Sequence, residues 1–164
     1  MLFRSTLVAG SFAVLSSTTV LCALVAGGWI DRIGARRLLP LFCVPLGLGC
    51  ALLAVAEAPS AMLLFMLLLG VSYGISSSVF GAIWPELYGT RHLGAVRSVV
   101  FAGMVFASAL GPGLTGWLID RGVGFETQLL AMSLWCAVAL AAMVLVVRRL
   151  ERRDRIQSAP RLTR

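Results

Sequence analysis

Five long apolar segments, separated by short polar gaps, are the feature that most constrains this chain. A helix needs roughly 20 residues to cross the ~30 Å hydrocarbon core of a bilayer, and each segment has about that length. Short gaps make consecutive helices antiparallel. The sequence therefore predicts an all-α, polytopic membrane helix bundle, with spans at about Thr6–Trp29, Leu38–Ala56, Ala61–Trp84, Val96–Ile119 and Phe125–Val147.

The composition indicates that lipid is the solvent of this chain. Hydrophobic residues make up 59% of it and charged residues only 13%, whereas a soluble domain carries roughly 25% charged residues. The first segment exceeds the ~7–15 apolar residues of a signal peptide, so it is better interpreted as a spanning helix. We expect a helix bundle over residues 1–149 and a polar, Arg-rich tail over residues 150–164, frayed or disordered from about Arg148 onward.

The arginines are distributed unevenly along the chain. All fourteen basic residues are arginines, and twelve lie after the first segment, after the third segment or in the tail. Only Arg4 and Arg121 lie on the alternate side. The positive-inside rule then predicts a cytoplasmic tail and an N-terminus outside. We expect the membrane to be a plasma membrane, namely a bacterial inner membrane. The net charge of +7 is explained in this way and not by nucleic-acid binding.

An outside N-terminus without a signal peptide is unusual for a complete small membrane protein. It is the topology that remains when a preceding helix is missing. We therefore expect the chain to be a piece of a longer protein.

Motifs for metal binding and catalysis are missing from the sequence. The four cysteines lie inside apolar segments and form no C-x-x-C pair, which predicts buried apolar side chains and no metal site. There is no G-x-S-x-G, no H-E-x-x-H and no cluster of acidic residues and histidine within the segments. We predict that the protein is not an enzyme and needs no cofactor.

The gap between the first two segments carries the ordered pattern G-x-x-x-D-R-x-G-x-R-R, beginning at Gly27. Its glycines permit close helix approach and a positive-φ bend. Asp31 can accept hydrogen bonds from the first amides of the next helix, or pair with an arginine. The alternative is a generic, positively charged loop.

This pattern resembles the signature loop of the major facilitator superfamily, which joins the second and third helices of each six-helix half. Ala35 departs from the family pattern, because a basic residue often stands there. The family loop latches one half against the other during gating, so the resemblance implies that role for Asp31 and Arg32. The matching positions are Gly27, Asp31, Arg32, Gly34, Arg36 and Arg37.

The stretch from Trp84 to Ser98 is similar to the loop between helices ten and eleven of prokaryotic members of this family. Pro85 and Gly89 are expected to end a helix. His92, the only histidine, is interpreted as an interfacial loop residue. The charged residues that could form a cytoplasmic ion-pair network are Glu86, Arg91 and Arg97.

A Gly-Pro-Gly sequence, Gly111, Pro112 and Gly113, lies within the fourth segment. It predicts a break in this helix, since proline lacks an N–H and leaves a carbonyl to be satisfied by neighbouring helices or water. Broken helices often line transport pathways. Close packing by small residues is the equally weighted alternative. Family members frequently carry a Gly-Pro pair in helix eleven, which fits this position.

The resemblance covers about Val8–Arg149 and implies that the five helices correspond to helices eight to twelve of a twelve-helix carrier. In that fold helices eight, ten and eleven face the central cavity, and hydroxyl side chains here concentrate in the corresponding segments. The alternative is that each hydroxyl bonds to its own helix. The predicted cavity residues are Ser17, Thr18, Tyr73, Ser77, Met104 and Ser108.

The function expected from these features is transport of a small solute by part of a secondary transporter, inactive by itself. The competing interpretation is a non-transporting membrane subunit that only packs against partner helices. The expected partners are the lipid bilayer, an unidentified small solute, and either a missing N-terminal half or a second copy of the chain. No acidic residue lies in the middle of a segment, so no proton-coupling carboxylate is predicted here.

Overall fold

The computed structural model describes residues 2–56, 59–89, 91 and 93–157, with the side chains of 10–56, 60–89, 91 and 93–153. This part of the chain is helical and contains no β-strand, which confirms the all-α prediction. The helices are α1 (Leu2–Ile33), α2 (Ala35–Leu38), α3 (Cys43–Val55), α4 (Pro59–Tyr88), α5 (Leu93–Asp120) and α6 (Phe125–Gln157). A 3₁₀ turn, Leu39–Phe42, links α2 to α3.

Five stretches are long and apolar enough to cross a membrane, in agreement with the five predicted segments. α2, the 3₁₀ turn and α3 together make the second of them. Within the described residues the stretches are Gly10–Ile33, Ala35–Val55, Ser60–Tyr88, Leu93–Asp120 and Phe125–Arg153.

The closest helix contact joins α1 to α4 and depends on two glycines one turn apart, Gly70 and Gly74. A Cβ atom at Gly74 would lie 2.6 Å from the backbone oxygen of Thr19, and one at Gly70 would lie 2.8 Å from that of Leu15. Small residues spaced four apart let helix backbones approach in this way. The hydroxyl of Ser78 also donates across the contact to a carbonyl of α1, at 3.0 Å.

α3 packs between α6 and α4, again through small residues. Gly47 faces α6, where its missing Cβ would lie 3.2 Å from Cys136 Cβ. The Ser133 hydroxyl donates to the Gly47 carbonyl at 3.0 Å. Gly49 faces Phe65 of α4. α3 therefore connects α6 to the pair formed by α1 and α4. Cys136 of α6 is buried at the contact with α3.

α5 stands at the edge of the bundle. None of its residues is buried, and its main contacts among the described helices are with α4 and α6. Large apolar side chains such as Val99 and Phe106 are more than 60% exposed. Lipid or further helices must cover this surface in a membrane, because such apolar side chains are unfavourable in water.

The predicted break at Gly111, Pro112 and Gly113 is wrong for this structure. α5 is continuous from Leu93 to Asp120, with Pro112 inside it. Proline removes one backbone donor, but its fixed φ near −65° is a helical value, so the helix resumes on both sides.

Two further boundaries differ from the sequence prediction. Pro85 does not end α4, which continues to Tyr88; the helix stops at Gly89, where φ is +69°, as predicted for that glycine. The polar residues after Arg148 do not fray at once, since α6 extends to Gln157. Hydropathy marks where a segment leaves the hydrocarbon, whereas the backbone hydrogen-bond ladder can continue into the interface. Residues 158–164 of the predicted tail, and His92, lie outside the described residues.

Candidate functional site

A cavity of about 480 Å³ lies between α1, α4 and α5. This is within the roughly 300–1,000 Å³ typical of small-molecule sites. α4 supplies half of the lining, α1 a single hydroxyl, and α5 the opposite wall. The lining residues are Thr19, Tyr73, Ser76, Ser77, Phe80, Trp84, Arg97, Val100, Phe101 and Met104.

Three of the six predicted cavity residues, Tyr73, Ser77 and Met104, are among these lining residues. The other three are elsewhere. Thr18 packs its side chain against Gly70 at the α1–α4 contact, and Ser17 and Ser108 are exposed outside the lining.

The cavity residue of α1 is Thr19, one position beyond the predicted pair. Successive residues of a helix point about 100° apart, so a shift of one position moves a side chain off the cavity wall. Sequence alone did not fix that rotation.

The hydroxyls in the cavity donate to their own helices. Thr19 bonds to the Leu15 carbonyl at 2.8 Å, and Ser77 bonds to the Gly74 carbonyl at 3.0 Å. Ser76 donates to the Tyr73 carbonyl at 3.1 Å. These bonds agree with the alternative interpretation, in which each hydroxyl bonds to its own helix. Because a hydroxyl oxygen keeps lone pairs after donating its proton, these groups remain able to accept hydrogen bonds from a ligand.

Arg97 and four aromatic rings give the cavity its chemical character. Among the described residues, Arg97 is the one charged side chain of the lining. The rings belong to Tyr73, Phe80, Trp84 and Phe101, and Trp84 is held by a stacked contact with Tyr88, 6.4 Å between centroids. A guanidinium recognises carboxylates through paired hydrogen bonds, and aromatic walls favour a flat, apolar ligand body.

Gly34 forms the whole connection between α1 and α2. Its φ of +89° lies in the region that disfavours residues with a side chain, and its N–H bonds to the Ile30 carbonyl at 2.9 Å. The sequence had predicted a positive-φ bend in this motif. Gly27 differs from the expectation of close helix approach, because no atom of another described helix lies within 4 Å of where its Cβ would be.

Glu86 of α4 contacts the first residues of α2 directly. One carboxylate oxygen accepts from the backbone N–H of Ala35 at 2.8 Å, and the other lies 3.5 Å from Arg36 Nε. A carboxylate at a helix N-terminus is stabilised by the exposed amides there. Glu86 thus ties α4 to the loop motif.

This arrangement changes two sequence expectations. The predicted network of Glu86, Arg91 and Arg97 is not assembled, since Glu86 bonds to α2 and Arg97 lines the cavity. The amide contact expected of Asp31 is made by Glu86, whereas Asp31 is exposed and has no hydrogen bond or ion pair with the described residues. The partners Ala35 and Glu86 are 51 residues apart, so no local pattern revealed them.

The last residue of the loop motif, Arg37, contacts α6. Its Nε donates to Glu151 Oε1 at 2.6 Å. The contact depends on α6 continuing past Arg148, so it was missed when the tail was predicted to be frayed. The two arginines therefore connect the motif to two different helices: Arg36 contacts α4 and Arg37 contacts α6.

Comparison with known proteins identifies the family. Residues 4–163 match the Major Facilitator Superfamily. This chain belongs to that superfamily. The match agrees with the loop motif and with the five apolar helices, and it places the chain in a family of membrane transporters.

Individual relatives in this superfamily include named transporters. The chain is 30% identical to a gallate transporter of Pseudomonas putida over 109 residues, which are 66% of this chain and 24% of that protein. It is 33% identical to the plastidic glucose transporter 4 of Arabidopsis thaliana over 87 residues, 53% of this chain and 16% of that protein.

An uncharacterized protein of Mycobacterium tuberculosis is 27% identical over 135 residues, 80% of this chain and 32% of that protein. The chain thus matches less than a third of the length of each of these relatives. No solved structure matches it.

Proposed function

We propose that this chain forms part of a secondary transporter and that the cavity between α1, α4 and α5 is one wall of its solute site. The cavity lining carries the proposal, because it combines hydroxyls, aromatic rings and Arg97 in a volume suited to a small molecule. A passive membrane anchor has no need of such a surface.

The solute that suits this wall best is a small organic anion with an aromatic ring. Arg97 would pair with its carboxylate, and Tyr73, Ser76 and Ser77 would accept hydrogen bonds from ring substituents. Phe101 and Trp84 would pack on the ring. The name of the Pseudomonas putida relative, a gallate transporter, supports this class of solute.

The chain is proposed to act with helices that it does not contain. α5 carries no buried residue, and large apolar side chains along it, such as Val99 and Phe106, are exposed. The carriers of this kind bind their solute between two halves that move against each other. We propose a second half of the same carrier as the partner; self-association is the alternative.

In the membrane, the Arg-rich connections and the tail are proposed to lie in the cytoplasm and the N-terminus outside, in a bacterial inner membrane. The loop around Gly34 would then lie at the cytoplasmic end of the cavity. Asp31 and Arg32 are both exposed there, as residues that latch onto a second half need to be. Glu86 would stabilise the position of the loop through its hydrogen bond with the Ala35 N–H.

The test is uptake into liposomes of a panel of labelled solutes: sugars, amino acids, cationic drugs and aromatic carboxylates such as benzoate. The 164-residue chain is compared with the same chain joined to the N-terminal half of a related carrier. We expect saturable uptake of an aromatic carboxylate only by the joined protein. Uptake by neither, with both correctly inserted, would favour the non-transporting subunit. Saturable uptake by the chain alone would contradict the need for a second half.

A further inference from the structure

A second, smaller cavity lies where α2 meets α6, at the Arg-rich end of the bundle. Its volume is about 320 Å³, and it is lined by Arg37, Pro40, Val144, Val147, Arg148 and Glu151. We propose that this cavity binds one anionic phospholipid, with the phosphodiester between the two arginines and the first part of an acyl chain along the three apolar residues. This proposal does not depend on the solute site.

The position of the cavity matches the boundary between hydrocarbon and headgroups. Val147 is the last residue of the apolar run of α6, and Arg148 begins its polar extension. Val144 and Arg148 are one helical turn apart, about 6 Å along the axis. A phospholipid offers the same change from charged to apolar over that distance, whereas a free anion offers no chain for Pro40 and the valines.

The charges of the cavity favour an anion. Two arginines face one carboxylate, and that carboxylate, Glu151, accepts from Arg37 Nε. A guanidinium carries five N–H donors. Within the described residues Arg37 makes no other hydrogen bond, and Arg148 makes none. Arginine pairs with phosphate oxygens through two parallel hydrogen bonds, and basic pockets between membrane helices bind acidic headgroups.

Arg149 provides a matched control. It follows Arg148 on α6, carries the same charge and is exposed like Arg148, but it does not line the cavity. Diffuse attraction of anionic lipid to the Arg-rich helix end would involve both residues equally. A defined site would involve Arg148 far more. Val144→Phe tests the same site without changing any charge, since a larger ring there fills the cavity.

The experiment is native mass spectrometry of the full chain in mild detergent, titrated with phosphatidylglycerol, phosphatidylcholine or glycerol phosphate. We expect one tightly bound phosphatidylglycerol and little binding of the other two. Arg148→Gln should weaken phosphatidylglycerol binding about fivefold, Val144→Phe should weaken it too, and Arg149→Gln should change it less than about twofold.

Equal losses in the two arginine variants would overturn the proposal in favour of diffuse surface charge. Phosphatidylcholine binding as tight as that of phosphatidylglycerol would also overturn it. So would glycerol phosphate binding equally well, because the apolar lining would then play no part. Unchanged binding in Val144→Phe, at an unchanged elution profile, would place the lipid elsewhere.

Discussion

Replacing Gly74 with alanine should separate α1 from α4. The added Cβ would lie 2.6 Å from both Cys22 Cβ and the Thr19 carbonyl oxygen. Ordinary contact begins at 3.4 Å, so the helices must part by about 0.8 Å. The obstructing atoms belong to the backbone or to a Cβ, and no side-chain rotation can move them away. The strain cannot be relieved locally.

The cost of this separation follows from two effects. Overpacking of a close contact costs about 1–3 kcal/mol. The hydrogen bond from Ser78 to the Ala23 carbonyl, now 3.0 Å, would stretch beyond its useful range, and such bonds between membrane helices contribute about 0.6 kcal/mol. Together the loss is roughly 1.5–3.5 kcal/mol. For a chain of this size that lowers the melting temperature by on the order of 5–10 °C.

The assay heats the purified protein in mild detergent and follows the loss of the monodisperse size-exclusion peak. Gly81→Ala is the matched control, because Gly81 lies on the same helix and no atom of another described helix lies within 4 Å of its missing Cβ. It should match the unmodified protein or exceed it slightly, since alanine favours the helix. A Gly74→Ala protein as stable as Gly81→Ala would refute the α1–α4 contact.

Three further outcomes are expected. Glu86→Ala should lower stability by roughly 0.5–2 kcal/mol, since the partly exposed carboxylate that accepts from Ala35 N–H is lost; an unchanged melting temperature in the same assay would contradict that contact. Asp31→Asn in the complete carrier should abolish most uptake at unchanged membrane abundance, and normal uptake would falsify its gating role. Reporter fusions at successive connections should read in, out, in, out, in, and any other order would reject the proposed topology. The fusion sites are Arg37, Pro59, Gly94, Gly122 and Arg164.

The number of helices could be predicted from the sequence, because crossing the hydrocarbon core demands about 20 apolar residues and such segments are easily recognised. The contacts between helices are much harder to recognise in the sequence. Gly70 and Gly74 have the spacing of a packing motif, yet nothing in the sequence shows that α1 lies against them. The structure supplies the partner through the positions of Leu15 and Thr19.

The candidate site was predictable only in part. The resemblance to the superfamily implied that α1, α4 and α5 form the walls, and the concentration of hydroxyls in these helices agreed with it, since hydroxyls are costly in lipid. Polarity does not give the rotation of each helix, so it predicts Ser17 and Thr18 at the position where Thr19 lines the cavity. Charge alone does not show which surface a residue faces, so the sequence predicts an ion-pair role for Arg97, which lines the cavity instead.

The most direct test of the account is the effect of Arg97→Gln on uptake of an aromatic carboxylate by the complete carrier containing this chain. Arg91→Gln is the control, since Arg91 is an exposed arginine near the same helix end and lies outside the cavity lining. We predict that Arg97→Gln lowers kcat/KM by roughly tenfold or more, because the ligand carboxylate loses its charged partner, while Arg91→Gln leaves uptake within about twofold of the unmodified carrier. Uptake unaffected by Arg97→Gln at equal membrane abundance would contradict the claim that this cavity is a wall of the solute site.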